Sequence, residues 1–336
     1  MQRKICFFLI IFSVSRLAAQ DIHFSQFHRA PLVQNPAMTG AAYPMQAILN
    51  YKEQWKSVDA PFKTFNASFD MRFKNDESSS GFWAGGINLF SDKAGDSQLS
   101  TQQGNFCLAY HIKLSGMSTL GAGVTGGFAQ RSINYSSLSW GNQFDGYTFQ
   151  SALSSGEKEQ FNSLNYFDLG AGIAWAHDKG EKYMTGNNQV KAEAGLAAFH
   201  LNLPKYSFLN DGETLSIKYV AHANMLIGIS NSNFSVVPGL MFYKQGSASE
   251  LLAGSLFRYM LKTNAQYTGF ITGSAISLGA HFRTKDSFIA SLLLEMGSYS
   301  LGISYDLNTS DLKTASDGRG GLELSLRFVN PNPFLK

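Results

Sequence analysis

The chain has 336 residues, of which 44% are hydrophobic, 13% aromatic and only 15% charged. Charge this sparse lies well below the roughly 25% of soluble proteins, and so many aromatic residues exclude an intrinsically disordered chain. The 27 Lys and Arg exceed the 24 Asp and Glu by a formal +3, an excess that belongs to the first nineteen residues.

Residues 1–19 have the form of an export signal. Arg3 and Lys4 precede the apolar run from Ile5 to Val14, and Leu17, Ala18 and Ala19 close it with small residues. Removing this segment takes Arg3, Lys4 and Arg16 and no acid, so 24 basic residues face 24 acidic ones. Zero net charge gives no electrostatic case for nucleic acid or an acidic membrane surface. Cys6 leaves with the signal, and the single thiol of Cys107 excludes an internal disulfide and a Cys-rich metal site.

Residues 20–43 lack alternation. Phe24, Phe27, Pro31 and Pro36 stand there among polar residues, and free aromatics are costly to leave solvated. The segment is expected to fold into the periplasmic mouth as a plug. The alternatives are a periplasmic arm for a partner and a frayed terminus. Phe24, Phe27, Asn35 and Pro36 are its candidate contact residues.

Residues 44–329 carry a period-two pattern, and 330–336 form a short tail. After Ala19 no run approaches the 18 apolar residues of a spanning helix. Instead Phe65, Ala67, Phe69, Met71 and Phe73 alternate with Thr64, Asn66, Ser68, Asp70 and Arg72, giving one apolar and one polar strand face. The pattern returns at Phe106–Ile112, Leu120–Phe128, Phe167–Trp175, Leu215–Ala221, Phe288–Leu294, Tyr299–Tyr305 and Leu322–Phe328. Between Pro61 and Pro331 only Pro204 and Pro238 occur, as ladders that cannot spare donors require.

Many alternating strands fit either a soluble sandwich or an outer-membrane barrel. Small and polar opposite faces (Ala109, His111, Lys113; Gly121, Gly123, Thr125, Gly127; Asp168, Gly170, Gly172) favour the barrel, with a hydrated, partly filled lumen. About 22 residues per strand and connection give about fourteen antiparallel strands, with twelve as the alternative. Fourteen puts the long connections Ser132–Ser163, Asn202–Glu213 and Leu307–Gly320 at one external end. Asp178–Gln189 is longer than a periplasmic turn should be. A wet lumen would tolerate Arg at Ser68 or Asp70 better than at Phe69 or Leu292.

Signals of chemistry are weak. Gly121–Gly126 matches dinucleotide-binding spacing but opens no helix, so closely approaching strands or a narrow lumen explain its glycines better. The seven His are scattered, and no nucleophile motif accompanies them. Asp306, Asn308 and Ser310 resemble the opening of a calcium loop, but Asp311 and Asp317 replace its Gly and Glu, so loop turns are the simpler reading. No catalytic, cofactor or metal residue is expected, and the chain is not expected to be an enzyme. Asp306, Asn308, Asp317 and Arg319 are the candidate partner-binding residues at the external mouth. An Arg319–Asp306 bridge across the loop base is the plainer alternative.

Five blocks carry a family resemblance: "QDIHFSQFHRAPLVQNPAMTG", "QWKSVDAPFKTFNASFD", "WGNQFDGYTFQSALSSGE", "HLNLPKYSFLND" and "GISYDLNTSDLKTASDGRGGLELSL". In this order, from residue 20 to 328, they resemble the PorP/SprF family of type IX secretion outer-membrane proteins. The tail "VNPNPFLK" departs from the short Cys-Pro-aromatic end common in that family. The resemblance implies an outer-membrane barrel of Bacteroidota that assists export or surface attachment of secreted proteins such as gliding adhesins. It implies as partners other type IX components and a secreted surface protein, with no cofactor. A passive solute porin is the alternative.

Overall fold

The computed structural model describes residues 21–55, 61–73, 80–95, 97–134, 138–156, 163–179, 187–208, 212–262, 273–310 and 318–330. Fourteen strands follow three short helical turns at Phe27–Arg29, Pro31–Gln34 and Pro36–Met38. The first seven are β1 (Met45–Gln54), β2 (Phe62–Arg72), β3 (Gly81–Ala94), β4 (Leu99–Ser115), β5 (Ser118–Ser132), β6 (Ser163–Lys179) and β7 (Val190–Phe199). The second seven are β8 (Lys218–Gly228), β9 (Phe234–Gln245), β10 (Ala248–Lys262), β11 (Ser274–Arg283), β12 (Ser287–Met296), β13 (Tyr299–Asn308) and β14 (Arg319–Asn330). Each strand pairs with its sequence neighbours, and β1 closes antiparallel on β14 from Met45 opposite Asn330 to Gln54 opposite Gly321.

The alternation has a direct structural meaning. In β2, Phe65 faces outward and is exposed, whereas Thr64, Asn66, Ser68 and Asp70 point inward and are buried. Exposed Phe106, Phe128, Phe257, Leu278 and Leu326 continue an apolar outer surface around the barrel. Charged and polar residues such as Lys52, His111, Arg283 and Glu323 are buried inside. This is a core turned inside out, as a wall facing hydrocarbon requires. No helix among the described residues is long and apolar enough to cross a membrane.

Two strands differ from the sequence pattern. β8 begins only at Lys218, so Leu215 and Ile217 precede it, and Leu215 is buried at the mouth of the lumen. Pro238 sits within β9, and the β8–β9 register passes from Asn224/Gly239 to Ile227/Val236 without pairing Met225 or Leu226. Proline supplies no ladder donor, which accounts for the interruption beside it.

The connections after β5, β7 and β13 lie at one end, the expected external end of an outer-membrane barrel. The opposite end carries the expected β6–β7 connection and a comparable one, unforeseen, between β10 and β11.

The segment from Asp21 to Tyr43 occupies the lumen. The plug expected at the periplasmic mouth extends well beyond it, with Phe24 and Phe27 buried in the lumen. Asp21 bonds to Gln245 and His200 at the external end, while Gly40 reaches Asp70 and Arg72 near the periplasmic end. The segment thus runs through the barrel along most of its length. The inner wall at Asp70 is covered by this segment: Asp70 accepts the Gly40 N–H at 2.7 Å and the Gln46 amide at 3.3 Å. The expected tolerance for Arg at Ser68 or Asp70 is therefore also revised. Leu292→Arg on the lipid face should cost about 2–4 kcal/mol near the midplane, and Asp70→Arg should cost at least about 1–3 kcal/mol through its lost bonds. Urea titration of refolded protein in vesicles checks this, and wild-type stability for Asp70→Arg would contradict the covered wall.

Candidate functional site

The segment is held at three levels. At the external mouth the Asp21 carboxylate lies 2.6 Å from His200 Nε2 and 3.7 Å from Lys218 Nζ, and His200 Nδ1 lies 2.9 Å from Asp168. Burial disfavours the charged imidazole, but Asp21 and Asp168 outweigh it and push the His200 pKa up to about 9. Burial likewise disfavours the Asp21 carboxylate, yet Lys218 and His200 hold it well below the usual carboxylate range. Lys52 and Lys218 donate to the carbonyls of His23 and Ile22.

Below this lies the Phe24-Ser25-Gln26 element. The Ser25 and Gln26 N–H groups donate to the two Glu323 oxygens at 2.7 and 2.9 Å. Ser25 Oγ donates to Asp306 at 2.7 Å and accepts from Arg283 at 2.6 Å, and Arg283 also bridges Asp306 at 3.1 Å and Asp286 at 2.8 Å. Next to this network Phe27, 1% exposed, enters an apolar patch of Ala197, Val220, Met241, Tyr243, Leu252 and Ile289. Its ring also meets His281 edge-on at 5.6 Å.

The third level is Asn35-Pro36-Ala37. Asn35 Oδ1 accepts the Ala37 N–H at 2.9 Å, capping the turn that Pro36 starts, and its amide donates to the Ile173 and Leu196 carbonyls. The wall is cut to fit. A Cβ at Gly123 would lie 2.5 Å from the Pro36 carbonyl, and one at Gly172 would collide with the Asn35 amide. Gly123 of the dinucleotide-like stretch thus serves close approach of the segment's backbone to the wall.

The sequence-chosen residues are distributed as follows. Phe24, Phe27, Asn35 and Pro36 are all buried against the barrel's own wall. Asp306 also faces the lumen, 2% exposed, and pairs with Arg283 where the sequence suggested Arg319. Asn308 sits buried at the base of the β13–β14 connection, Arg319 is exposed beside it, and Asp317 lies outside the described residues. No group of three or more His, Cys, Asp or Glu among the described residues is arranged to hold a metal.

Sequence reasoning passed over Lys52, Arg283 and Glu323 and gave inward-facing Asp70 no partner. Their signal was a charge at an inward strand position, which demands a partner in a filled lumen. It placed the β5–β6 connection outside but chose no contact residue there, although Phe144, Tyr147 and Phe149 are exposed, Tyr147 at 92%. Asp145 holds their turn, accepting the Tyr147 and Thr148 N–H groups at 2.8 and 2.7 Å.

The mouth contact has a defined pH window. His200, raised from an ordinary 6.5, contributes fully below that value and loses its contribution as pH rises through about 9. Asp21 contributes above its ordinary 3.8 and loses its contribution in stronger acid. A spin label at Ile22→Cys should be immobile at pH 6 and loosen between pH 7 and 10, and His200→Gln should loosen it already at pH 6. Equal immobility at pH 6 and 10 would contradict the anchor.

Among solved structures, the translocator domain of autotransporter NalP from Neisseria meningitidis is similar, with 12% identity and a TM-score of 0.39 over 85% of this chain and 88% of that one. A TodX monoaromatic hydrocarbon channel mutant shows 9% identity and a TM-score of 0.48 over 90% of this chain and 94% of that one. BamA from Haemophilus ducreyi lacking POTRA domains 1-3 shows 7% identity and a TM-score of 0.43 over 85% and 70%. No curated protein matches the sequence. The family model for type IX secretion system membrane protein PorP/SprF matches residues 16–328. This match covers nearly the whole length, and with it the chain belongs to the PorP/SprF family of type IX secretion system outer-membrane proteins.

Proposed function

We propose that this barrel is an accessory of type IX secretion that assists export or surface attachment of a secreted protein, such as a gliding adhesin in Bacteroidota, and catalyses no reaction. The observation that carries this reading is the occupied lumen. A solute porin needs an open aqueous path lined by charge. Here the inward charges of Lys52, Arg283, Asp306 and Glu323 are turned onto the chain's own N-terminal segment. A barrel whose lumen is occupied in this way acts through its rims.

The external rim offers a suitable surface. Phe144, Tyr147 and Phe149 stand on a turn built by local hydrogen bonds, so their apolar area is held out without support from the barrel. Exposed aromatics on an ordered turn mark a protein-binding surface, because aromatic anchors dominate interface energetics. Exposed Arg319, beside Leu307 at the base of the β13–β14 connection, puts charge elsewhere on the same rim. Phe24, Phe27, Asn35 and Pro36 would serve partners indirectly, by fixing the segment inside the wall.

Replacing Phe144, Tyr147 and Phe149 together by Ser should leave barrel abundance and heat-modifiable migration unchanged, because these side chains are exposed. Surface display of the secreted partner should fall at least tenfold, the loss of about 1.4 kcal/mol or more that removal of an aromatic anchor brings. Flow cytometry of the displayed partner beside an immunoblot of the barrel reads both quantities. Undiminished display with normal barrel levels would remove the aromatic rim from the mechanism.

A further inference from the structure

The periplasmic end of the lumen keeps a cavity of about 520 Å³, bounded by the N-terminal segment at His28, Arg29, Met38 and Tyr43. Twice as many Lys and Arg as Asp and Glu line it. The acids are already engaged. Glu295 takes Arg258 Nε at 2.6 Å, Asp178 takes Lys191 at 3.0 Å, and Glu193 accepts the Asn224 amide at 2.9 Å.

Three guanidinium groups on the lining, those of Arg29, Arg72 and Arg327, have no such counter-charge at ion-pair distance, and Arg72 spends its donors on the Gly40 and Ala41 carbonyls. Arg29 is 0% exposed, and its hydrogen bonds go to Ser325 Oγ at 3.2 Å and the Ser300 carbonyl at 2.9 Å, leaving Nη1 without a partner. Ser300 is the cross-strand neighbour of Arg327, and Ser325 precedes Arg327 by two residues on the same face of β14. Arg29 is thereby brought to the wall position from which Arg327 projects. Arg327 stacks over the Tyr43 ring at 4.8 Å, and its Nε has no partner. Neither arginine has a carboxylate within ion-pair distance among the described residues.

A buried guanidinium is costly without an opposite charge, and two side by side repel. Arginine's planar fork fits two oxygens of a carboxylate or phosphate. We propose that this cavity is an oxyanion-binding site, in which Arg29 and Arg327 together hold a carboxylate or phosphate group admitted from the periplasmic side. Tyr43 and Met38 give the site an apolar wall beside the charge, so a carboxylate carried on a polypeptide fits as readily as a free ion. The site stands whether or not the barrel serves export, since it rests only on the lumen's own geometry.

Microcalorimetry on the full-length mature protein in detergent tests it with inorganic phosphate, succinate, the peptide acetyl-Gly-Glu-Phe-Gly-amide and the Gln version of that peptide. At least one of the three anions should bind, and Arg327→Gln should weaken it at least tenfold while Arg327→Lys retains part of the affinity. Thermal unfolding of each variant confirms that the barrel is intact. Binding of the Glu peptide over its Gln version assigns the source to a polypeptide, and binding of phosphate or succinate without that preference assigns it to a free ion. Absence of binding by all three anions at millimolar concentration, or equal binding to an intact Arg327→Gln barrel, overturns the proposal.

Discussion

A strand in lipid must pair every backbone N–H and C=O within the protein, because hydrocarbon offers no substitute partner. Closure of β1 on β14 meets this demand for the whole wall. It also creates a second problem. Fourteen strands enclose a lumen too wide for their own inward side chains to fill. The segment from Asp21 to Tyr43 fills it, and the rest of the structure follows from that choice.

Filling the lumen with polypeptide alters what the inner wall must be. A water-filled wall needs only polar groups, whereas this one needs specific partners for a particular chain. Glu323 and Arg283 grip Ser25, an apolar patch receives Phe27, and Asp70 takes the Gly40 amide. Glycines at 123 and 172 give the room in which Pro36 and Asn35 lie against the wall. Phe24-Ser25-Gln26 and Asn35-Pro36-Ala37, both inside the first block that carries the family resemblance, are thus among the points at which segment and wall meet.

The fold was largely legible, and the reason is the regularity of a lipid-facing wall. β2, with Phe65, Ala67, Phe69 and Met71 against four polar residues, shows its two faces without ambiguity. β7 was harder to read, because Ala192, Ala194, Gly195, Ala197 and Ala198 put small residues on both faces and erase the contrast. Leu215 read as strand because it keeps the parity of Tyr219, yet it packs into the mouth from a loop. The candidate site was less legible. Alternation tells which residues face inward but not what they meet there, so a partly filled lumen could be read while its contacts could not: Asp306 meets Ser25 and Arg283 in place of Arg319. The aromatics from Phe144 to Phe149 lie in one of the family blocks, but their loop has no periodicity from which their exposure could be read.

The central claim is that the chain's own N-terminal segment occupies the lumen. Single-channel recording of the full-length mature protein in planar bilayers tests it most directly. The account predicts no steady conductance of the size an unfilled fourteen-strand barrel would give. A stable open channel of that size in the unmodified protein would contradict it.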